Sequence, residues 1–438
     1  MTAAAVPHTL SVREKRESQR KPAGGERKVS TAASILSGIL FAAALALYLR
    51  GARKGGLKNE LNRTLFDDFR PKEYIPVLML CLGSLVIHLA AASGIRLISG
   101  RNDRVIDALR LYSGLDSRHY LDIARSGYTV ASEAGEILDL VFFPGYPLLA
   151  GLLMMVLPEM LSGYLAAWIP FLIAGMTLYR LFRLDYDRGK SLRILLWMCL
   201  LPGAVFYSYP MSESLFLAAA AGTVYMARTR RWFAAGVCGF LAAFTRSTGI
   251  LLAVPLGIEL LEQYTGRIRK ERKQMARDGA CMLMIPLAIC VYLYINYAAE
   301  GDPLIFLQYQ KSNWHQEAGW FFRTAGTQTE YAIQTWTDNR VKFWGLWIPN
   351  LAVGFGSLVL MLCSGRKLRI SDGAWFFVYF AVCYGASWLL SGPRYMAVFW
   401  PMAVLTEEIR IPKTVKGIIL TAGAAVYAIC FGMRWGVW

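Results

Sequence analysis

Asp116 and His119 stand three residues apart in Gly114-Leu115-Asp116-Ser117-Arg118-His119-Tyr120-Leu121-Asp122. On a helix that spacing puts both on one face, with Tyr120 one turn beyond Asp116. A carboxylate beside an imidazole suits general-base work. Asp116 would take the proton of an attacking hydroxyl while His119 or Arg118 meets a phosphate. The ordinary alternative is a surface helix with routine ion pairs, because Asp122 has Arg118 four residues before it and Arg125 three after. Two further charges stand at the ends of apolar runs. Glu213 lies in Tyr209-Pro210-Met211-Ser212-Glu213-Ser214-Leu215-Phe216, and Arg246 in Phe244-Thr245-Arg246-Ser247-Thr248-Gly249. Charge at a membrane edge is costly unless it is paired or used. The plain readings are a first-turn acid favoured by the helix dipole for Glu213 and snorkelling for Arg246.

These residues need elements to hold them, and composition says which kind. The chain has 438 residues, 55% of them hydrophobic and only 18% charged. Soluble domains carry about 25% charged residues. This chain has too little charge to cover soluble domains, which excludes a water-soluble enzyme. The net charge of +17 comes from 47 basic and 30 acidic residues. The basic residues cluster between apolar runs, at 228–231, 267–277, 366–369 and 410–416. That is the pattern of cytoplasmic loops in a polytopic membrane protein. No cluster sits in an aromatic-studded soluble domain, so nucleic acid is not an expected partner. The eight cysteines all fall in apolar stretches without a C-x-x-C pair. They read as small buried hydrophobes rather than a disulfide framework or a zinc site.

The expected fold is an all-α polytopic membrane protein. Apolar runs are read at 31–49, 74–98, 142–158, 163–182, 192–208, 213–227, 232–249, 250–264, 279–299, 343–363, 373–390, 395–409 and 417–435. Each approaches the ~20 residues a membrane helix needs, which gives about 11–13 membrane helices. Residues 1–30 read as a disordered basic tail, 31–73 as an extra hydrophobic segment with a basic loop, and 74–438 as the main domain. Two stretches, 99–141 and 300–342, are long enough to hold function. Lysine and arginine asymmetry puts 300–342 outside, and 99–141 is assigned to the same non-cytoplasmic side. Crossing parity fails upstream of residue 185. The helix breakers in Phe142-Phe143-Pro144-Gly145-Tyr146-Pro147 point to a re-entrant or broken segment there. No internal repeat is visible, which disfavours a transporter built from two matching halves.

Read in order, these segments resemble the GPI mannosyltransferase 2 (PIG-V-like) family of the GT-C superfamily of polytopic glycosyltransferases. The family pattern is roughly W-D-x-x-H-F-x-x-I-A-x-x-G-Y, then F-F-P-x-x-P, then Y-S-E-x-L-F, then R-S-N-G. The chain has Asp116, His119, Tyr120, Ile123, Ala124, Gly127 and Tyr128 at the first motif. It has Phe142 to Pro147 at the second, Met211 to Phe216 at the third and Arg246 to Gly249 at the fourth. Gly392-Pro393-Arg394-Tyr395 is a further late motif. Leu115 stands where the family has tryptophan, Tyr120 where it has phenylalanine, and Thr248 where it has asparagine. The match covers about residues 74–260 well and the rest only in hydropathy.

The resemblance implies a GT-C-like bundle and an inverting mannosyltransferase. The donor would be mannose on a polyprenyl phosphate, and the acceptor a glycolipid or surface glycan at the outer membrane face. It implies Asp116 as general base, and Arg246, Arg394, His119 and His315 as holders of the donor phosphate. Arg118, Tyr128 and Tyr146 would line the substrate, and Glu213 would order acceptor hydroxyls or pair with Arg246. Apart from the resemblance, no D-x-D cluster for a nucleotide-sugar metal site is read in the sequence, so no essential metal or other cofactor is expected. A bacterial cell membrane is the expected location, with the endoplasmic reticulum as the alternative. The rival classes are a transporter or flippase of lipid-linked sugars and a non-catalytic scaffold.

Overall fold

The computed structural model describes residues 24–53, 70–100, 104–110, 116–132, 135–387 and 389–433. Among these the chain is helical throughout, and the one β-contact is an isolated antiparallel bridge between Ala318 and Ala386. Six helices are long and apolar enough to cross a membrane: Arg27–Ala52, Pro71–Ile98, Glu159–Arg183, Ile268–Glu300, Arg340–Lys367 and Lys413–Gly432. A seventh span follows if Arg188–Cys199 and Pro202–Ser208, bent by 83°, are counted as one broken crossing. Pro202 opens the second piece after extended Leu201, which accounts for the bend. The long helices turn apolar side chains outward: Met79, Val86 and Ile87 are all exposed. That outward face suits lipid as the solvent, because every backbone polar group of a helix is satisfied internally.

Several expected spans are instead shorter apolar helices. Gly145–Met154, Trp232–Thr245 and Ile370–Cys383 have 10, 14 and 14 residues. At 1.5 Å per residue, ten residues reach only about 15 Å, half of the ~30 Å hydrocarbon core. Residues 142–158 therefore do not make a full crossing, and 250–264 divides into a 3-10 turn, Ser247–Leu252, and the helix Ala253–Tyr264. These short helices also turn apolar side chains outward, among them Leu148, Leu152, Phe233 and Val382, so hydropathy marked them although they are shorter than a full span.

The two long stretches expected as loops also contain helices. The first holds Val105–Leu109 and Asp116–Ser126, and the second Ile305–Trp314 and Phe321–Asp338. The expected tail and basic loop fall largely on residues 1–23 and 54–69, outside the described residues. Residues 24–30, expected in the tail, form the first turns of the helix Gly24–Arg53. That helix is built into the bundle. Ser30 Oγ donates to Gly326 O at 3.0 Å, Tyr48 donates to Ile370 O, and Phe41 packs on Phe321 at 4.6 Å between centroids. The cysteines divide: Cys81, Cys199, Cys383 and Cys430 are buried, but Cys290 and Cys363 are exposed on the apolar surface.

Candidate active site

Four charged side chains from distant parts of the chain meet at one end of the helix Glu213–Arg228. Arg394 binds Glu213 Oε1 through Nε and Asp116 Oδ2 through Nη1. Arg246 Nη1 donates to the same Glu213 Oε1 at 2.5 Å and to Ser212 Oγ at 3.0 Å. Glu213 and Arg394 are buried, and the Asp116 side chain keeps 29% of its surface. Glu213 Oε2 is buried with no hydrogen-bond partner. A buried carboxylate oxygen in that state is an open acceptor.

Each residue is delivered by a local feature. Asp116 begins the helix Asp116–Ser126, and Glu213 is the first residue of its helix, where an acid complements the dipole. Arg246 follows the helix Trp232–Thr245 in extended conformation. The next turn folds back so closely that a Cβ on Gly249 would lie 2.4 Å from Ala243 N. Only glycine fits such an approach. Arg394 rides on a short helix after Pro393. Its loop is pinned by Asn350, whose Oδ1 accepts from Gly392 N at 2.8 Å and whose Nδ2 donates to Leu389 O at 3.0 Å. The arginines also lie against rings, Arg394 over Phe206 at 5.0 Å and Arg246 over Tyr395 at 5.5 Å. Such contacts orient a guanidinium without consuming its donors.

Burial pushes the Asp116 carboxyl up, but the Arg394, His119 and Arg246 charges more than reverse it and hold it below the usual carboxylate range. Asp116 is therefore ionised at neutral pH. His119 turns to a residue the sequence did not single out. Its Nδ1 lies 2.7 Å from Asp139 Oδ1, and its ring stacks on Phe142 at 4.7 Å. Trp314 approaches the His119 and Phe142 rings edge-on, at 6.1 and 5.8 Å. Tyr120 shares a 3.0 Å hydrogen bond with Ser212, tying the Asp116 helix to the Glu213 helix.

Other expected site residues are engaged elsewhere. Arg118 is exposed and pairs with Asp122 at 3.6 Å. Tyr128 donates to Phe142 O at 2.6 Å, and Tyr146 to Gly163 O at 2.7 Å, so both hydroxyls brace backbone. His315 is exposed, caps the helix Ile305–Trp314 in the left-handed region at φ 54°, and makes no described contact with the four charges. Leu115 lies outside the described residues. Ser212, Asp139 and Trp314 are the additions. Among them only Ser212, beside Glu213, carried a sequence signal.

A second charge cluster lies at the other end of the Glu213–Arg228 helix. Arg228 is buried, with Nε 2.8 Å from Glu259 Oε1 and Nη2 2.7 Å from Asp372 Oδ1. Arg369 grips Asp185 through Nε at 2.9 and 2.8 Å. This bears on the metal question, because Asp185-Tyr186-Asp187 is an Asp-x-Asp sequence. Its first carboxylate is held by Arg369, and its second caps the helix Arg188–Cys199 by accepting from Lys190 N at 2.9 Å. Among the described residues no group of three or more His, Cys, Asp or Glu is arranged to hold a metal ion.

No protein-family model matches the chain, and no curated protein does either. What the chain is like therefore rests on its own motif residues and on where they meet.

Proposed function

We propose that the chain is a membrane glycosyltransferase that moves mannose from a polyprenyl-phosphate donor to a glycolipid or surface-glycan acceptor. The observation that carries the reading is the convergence of Asp116, Arg394, Glu213 and Arg246 from four separate segments. Two guanidiniums side by side suit a phosphate, which arginine binds through paired N–H donors. A carboxylate in contact with one of them stands where an acceptor hydroxyl must lose its proton. In the step, the acceptor oxygen bonds to the sugar C1. The bond from C1 to the phosphate oxygen breaks, its electron pair stays on the phosphate, and the acceptor proton goes to Asp116. Attack opposite the leaving group inverts the anomeric centre.

The phosphate also resolves a tension. A carboxylate clamped by Arg394 is a weak base. A phosphate competing for Arg394 withdraws that cation from Asp116 and restores basicity only when donor is bound. Mannose as the sugar, the polyprenyl carrier, the GT-C-like bundle and the outer face come from the resemblance and from charge asymmetry, and the bacterial cell membrane from the short loops.

The test is transfer of labelled mannose from a polyprenyl-phosphate donor by purified protein in lipid. Absence of transfer to any glycolipid acceptor, with labelled donor carried across the bilayer instead, would establish the flippase reading. Within this reading Arg246→Ala is expected to weaken donor binding at least about tenfold, or ~1.4 kcal/mol, since a hydrogen bond to a charged group contributes about 1.5–3 kcal/mol. Arg230→Ala is the control, because Arg230 is exposed at the far end of the same bundle. Equal effects of the two variants on donor binding would mean that Arg246 only braces Glu213.

A further inference from the structure

We propose that the exposed basic residues of the helix Ile268–Cys281, with Arg231 beside them, form a binding surface for anionic phospholipid headgroups in the leaflet at that end of the bundle. Arg269, Lys270, Arg272, Lys273 and Arg277 are exposed, and none of them makes an ion pair among the described residues. The two acids of this helix are engaged already. Glu271 pairs with Arg267 at 3.2 Å, and Asp278 is buried, accepting from the Tyr264 hydroxyl at 2.7 Å and from Gln274 Nε2 at 2.8 Å. Other basic residues at this end of the bundle have acids of their own. Arg228 has Glu259 and Asp372, Arg369 has Asp185, Arg193 has Glu407 and Lys367 has Glu408. The helix Ile268–Cys281 stands apart because its charge is left uncompensated.

Where that charge lies points to lipid. A Cβ on Gly236 would fall 2.4 Å from Cys281 O, and one on Gly239 2.7 Å from Ile285 Cγ1. The helices Trp232–Thr245 and Ile268–Glu300 therefore run parallel and touch there. Arg231 and Arg277 precede that crossing by about 6–8 Å at 1.5 Å per residue, both toward the same end. Next to them Phe233 and Leu283 are 70% and 67% exposed, and Leu287 is exposed one turn further on. Apolar side chains open to lipid, with guanidiniums just beyond them, match the chains and the headgroup of a phospholipid. Length agrees. The 33 residues of Ile268–Glu300 reach about 50 Å, and a hydrocarbon core takes up ~30 Å. The rest projects from the hydrocarbon, and the basic residues are on it.

Lysine and arginine asymmetry assigns this end to the cytoplasmic leaflet, whose surface potential is negative. Each basic residue close to such a surface strengthens binding roughly fivefold. The attraction fades over a Debye length of about 8 Å, so Arg231 and Arg277 contribute most. A soluble acidic partner would have no use for the exposed Phe233 and Leu283. The proposal stands apart from the transferase reading and from the four charges around Glu213.

The test is binding of fluorescent-chain phosphatidylglycerol to the full-length protein in nonionic detergent, with phosphatidylcholine of the same chains as reference. The wild type is expected to prefer phosphatidylglycerol tenfold or more in ~0.1 M salt and to lose most of that preference in ~1 M salt, where the Debye length is about 3 Å. Arg231→Gln, Lys273→Gln and Arg277→Gln combined should lower phosphatidylglycerol affinity at least about tenfold. The charge-keeping set Arg231→Lys, Lys273→Arg and Arg277→Lys should retain it. So should Lys311→Gln, Arg323→Gln and Arg340→Gln combined, which removes equal charge from the opposite end of the bundle. No preference in the wild type, or one that survives ~1 M salt, overturns the proposal without any variant. An unchanged preference in the first set, or an equal loss in the opposite-end set, overturns it as well. Displacement of the lipid by free glycerol phosphate at equal concentration would make the ligand a soluble anion and overturn the lipid assignment.

Discussion

Asp116→Asn is expected to yield a folded, membrane-inserted protein that binds the lipid donor yet transfers mannose at least ~100-fold more slowly, the low end of what a positioned base contributes. At ~1.4 kcal/mol per decade that is roughly 3 kcal/mol of the barrier. The fold should survive because Arg394 keeps Glu213 as a partner and Asp116 is partly exposed. Asparagine preserves shape and one acceptor but takes no proton. Asp122→Asn is the matched control. Asp122 pairs only with exposed Arg118 and Arg125, at 3.6 and 3.4 Å, and such pairs contribute about 0–1 kcal/mol. Near-normal turnover by Asp116→Asn, with Asp122→Asn inactive, would transfer the role to the other carboxylate. The sign of the pH dependence follows too. A carboxyl held below its usual range stays ionised as pH falls through the neutral region and loses its pairing only in strong acid. An acidic limb of the rate near neutrality would therefore belong to another group.

Arg228→Met is expected to destabilise the protein by about 3–5 kcal/mol, the usual cost of stripping one partner from a buried charge pair. Arg228 is held by Glu259, Asp372 and the Ser371 hydroxyl, and all four residues are buried. Without the guanidinium, two carboxylates remain in an apolar surround. The check is thermal unfolding in detergent against Arg228→Met combined with Glu259→Gln and Asp372→Asn. The combined variant should regain most of the loss, since the penalty lies in the uncompensated charges. A triple variant no more stable than the single one would show that guanidinium packing is what counts.

Much of the site was legible because charge is rare in such a chain. Glu213, Arg246 and Arg394 stand at the ends of apolar runs, where unpaired charge is costly, and Asp116 stands out by its spacing to His119. Sequence did not say that Glu213 would serve both arginines through one oxygen, since that depends on how four segments converge. Asp139 was silent because one acid in a mixed-polarity stretch has no periodic or spacing signal. The partners of Arg228 and Arg369 went unread for a physical reason. Basic residues at the ends of apolar runs set orientation whether or not they later find buried acids, so the pattern hid Glu259, Asp372 and Asp185. Among the described residues fewer helices reach the length of a full span than there are apolar runs, because hydropathy reports exclusion from water and not helix length. The Gly24–Arg53 helix shows a contact that sequence did not specify. The resemblance starts after it and marked it as an addition; its small residues let it seat against Gly326, where a Cβ would fall 2.1 Å from Ser34 Oγ.

The Glu213–Arg228 helix has 16 residues, a rod of about 24 Å at 1.5 Å per residue. Its first residue is bolted to Arg246 and Arg394, and its last to Glu259 and Asp372. A rod fastened at both ends has no axial play. Sliding by one helical turn, about 5.4 Å, would tear both sets of bolts at once. The helix is a tie-beam between the two charge clusters, and any displacement of it carries Arg246, Arg394, Glu259 and Asp372 along. A change at one cluster is thereby coupled mechanically to the other, about 24 Å away.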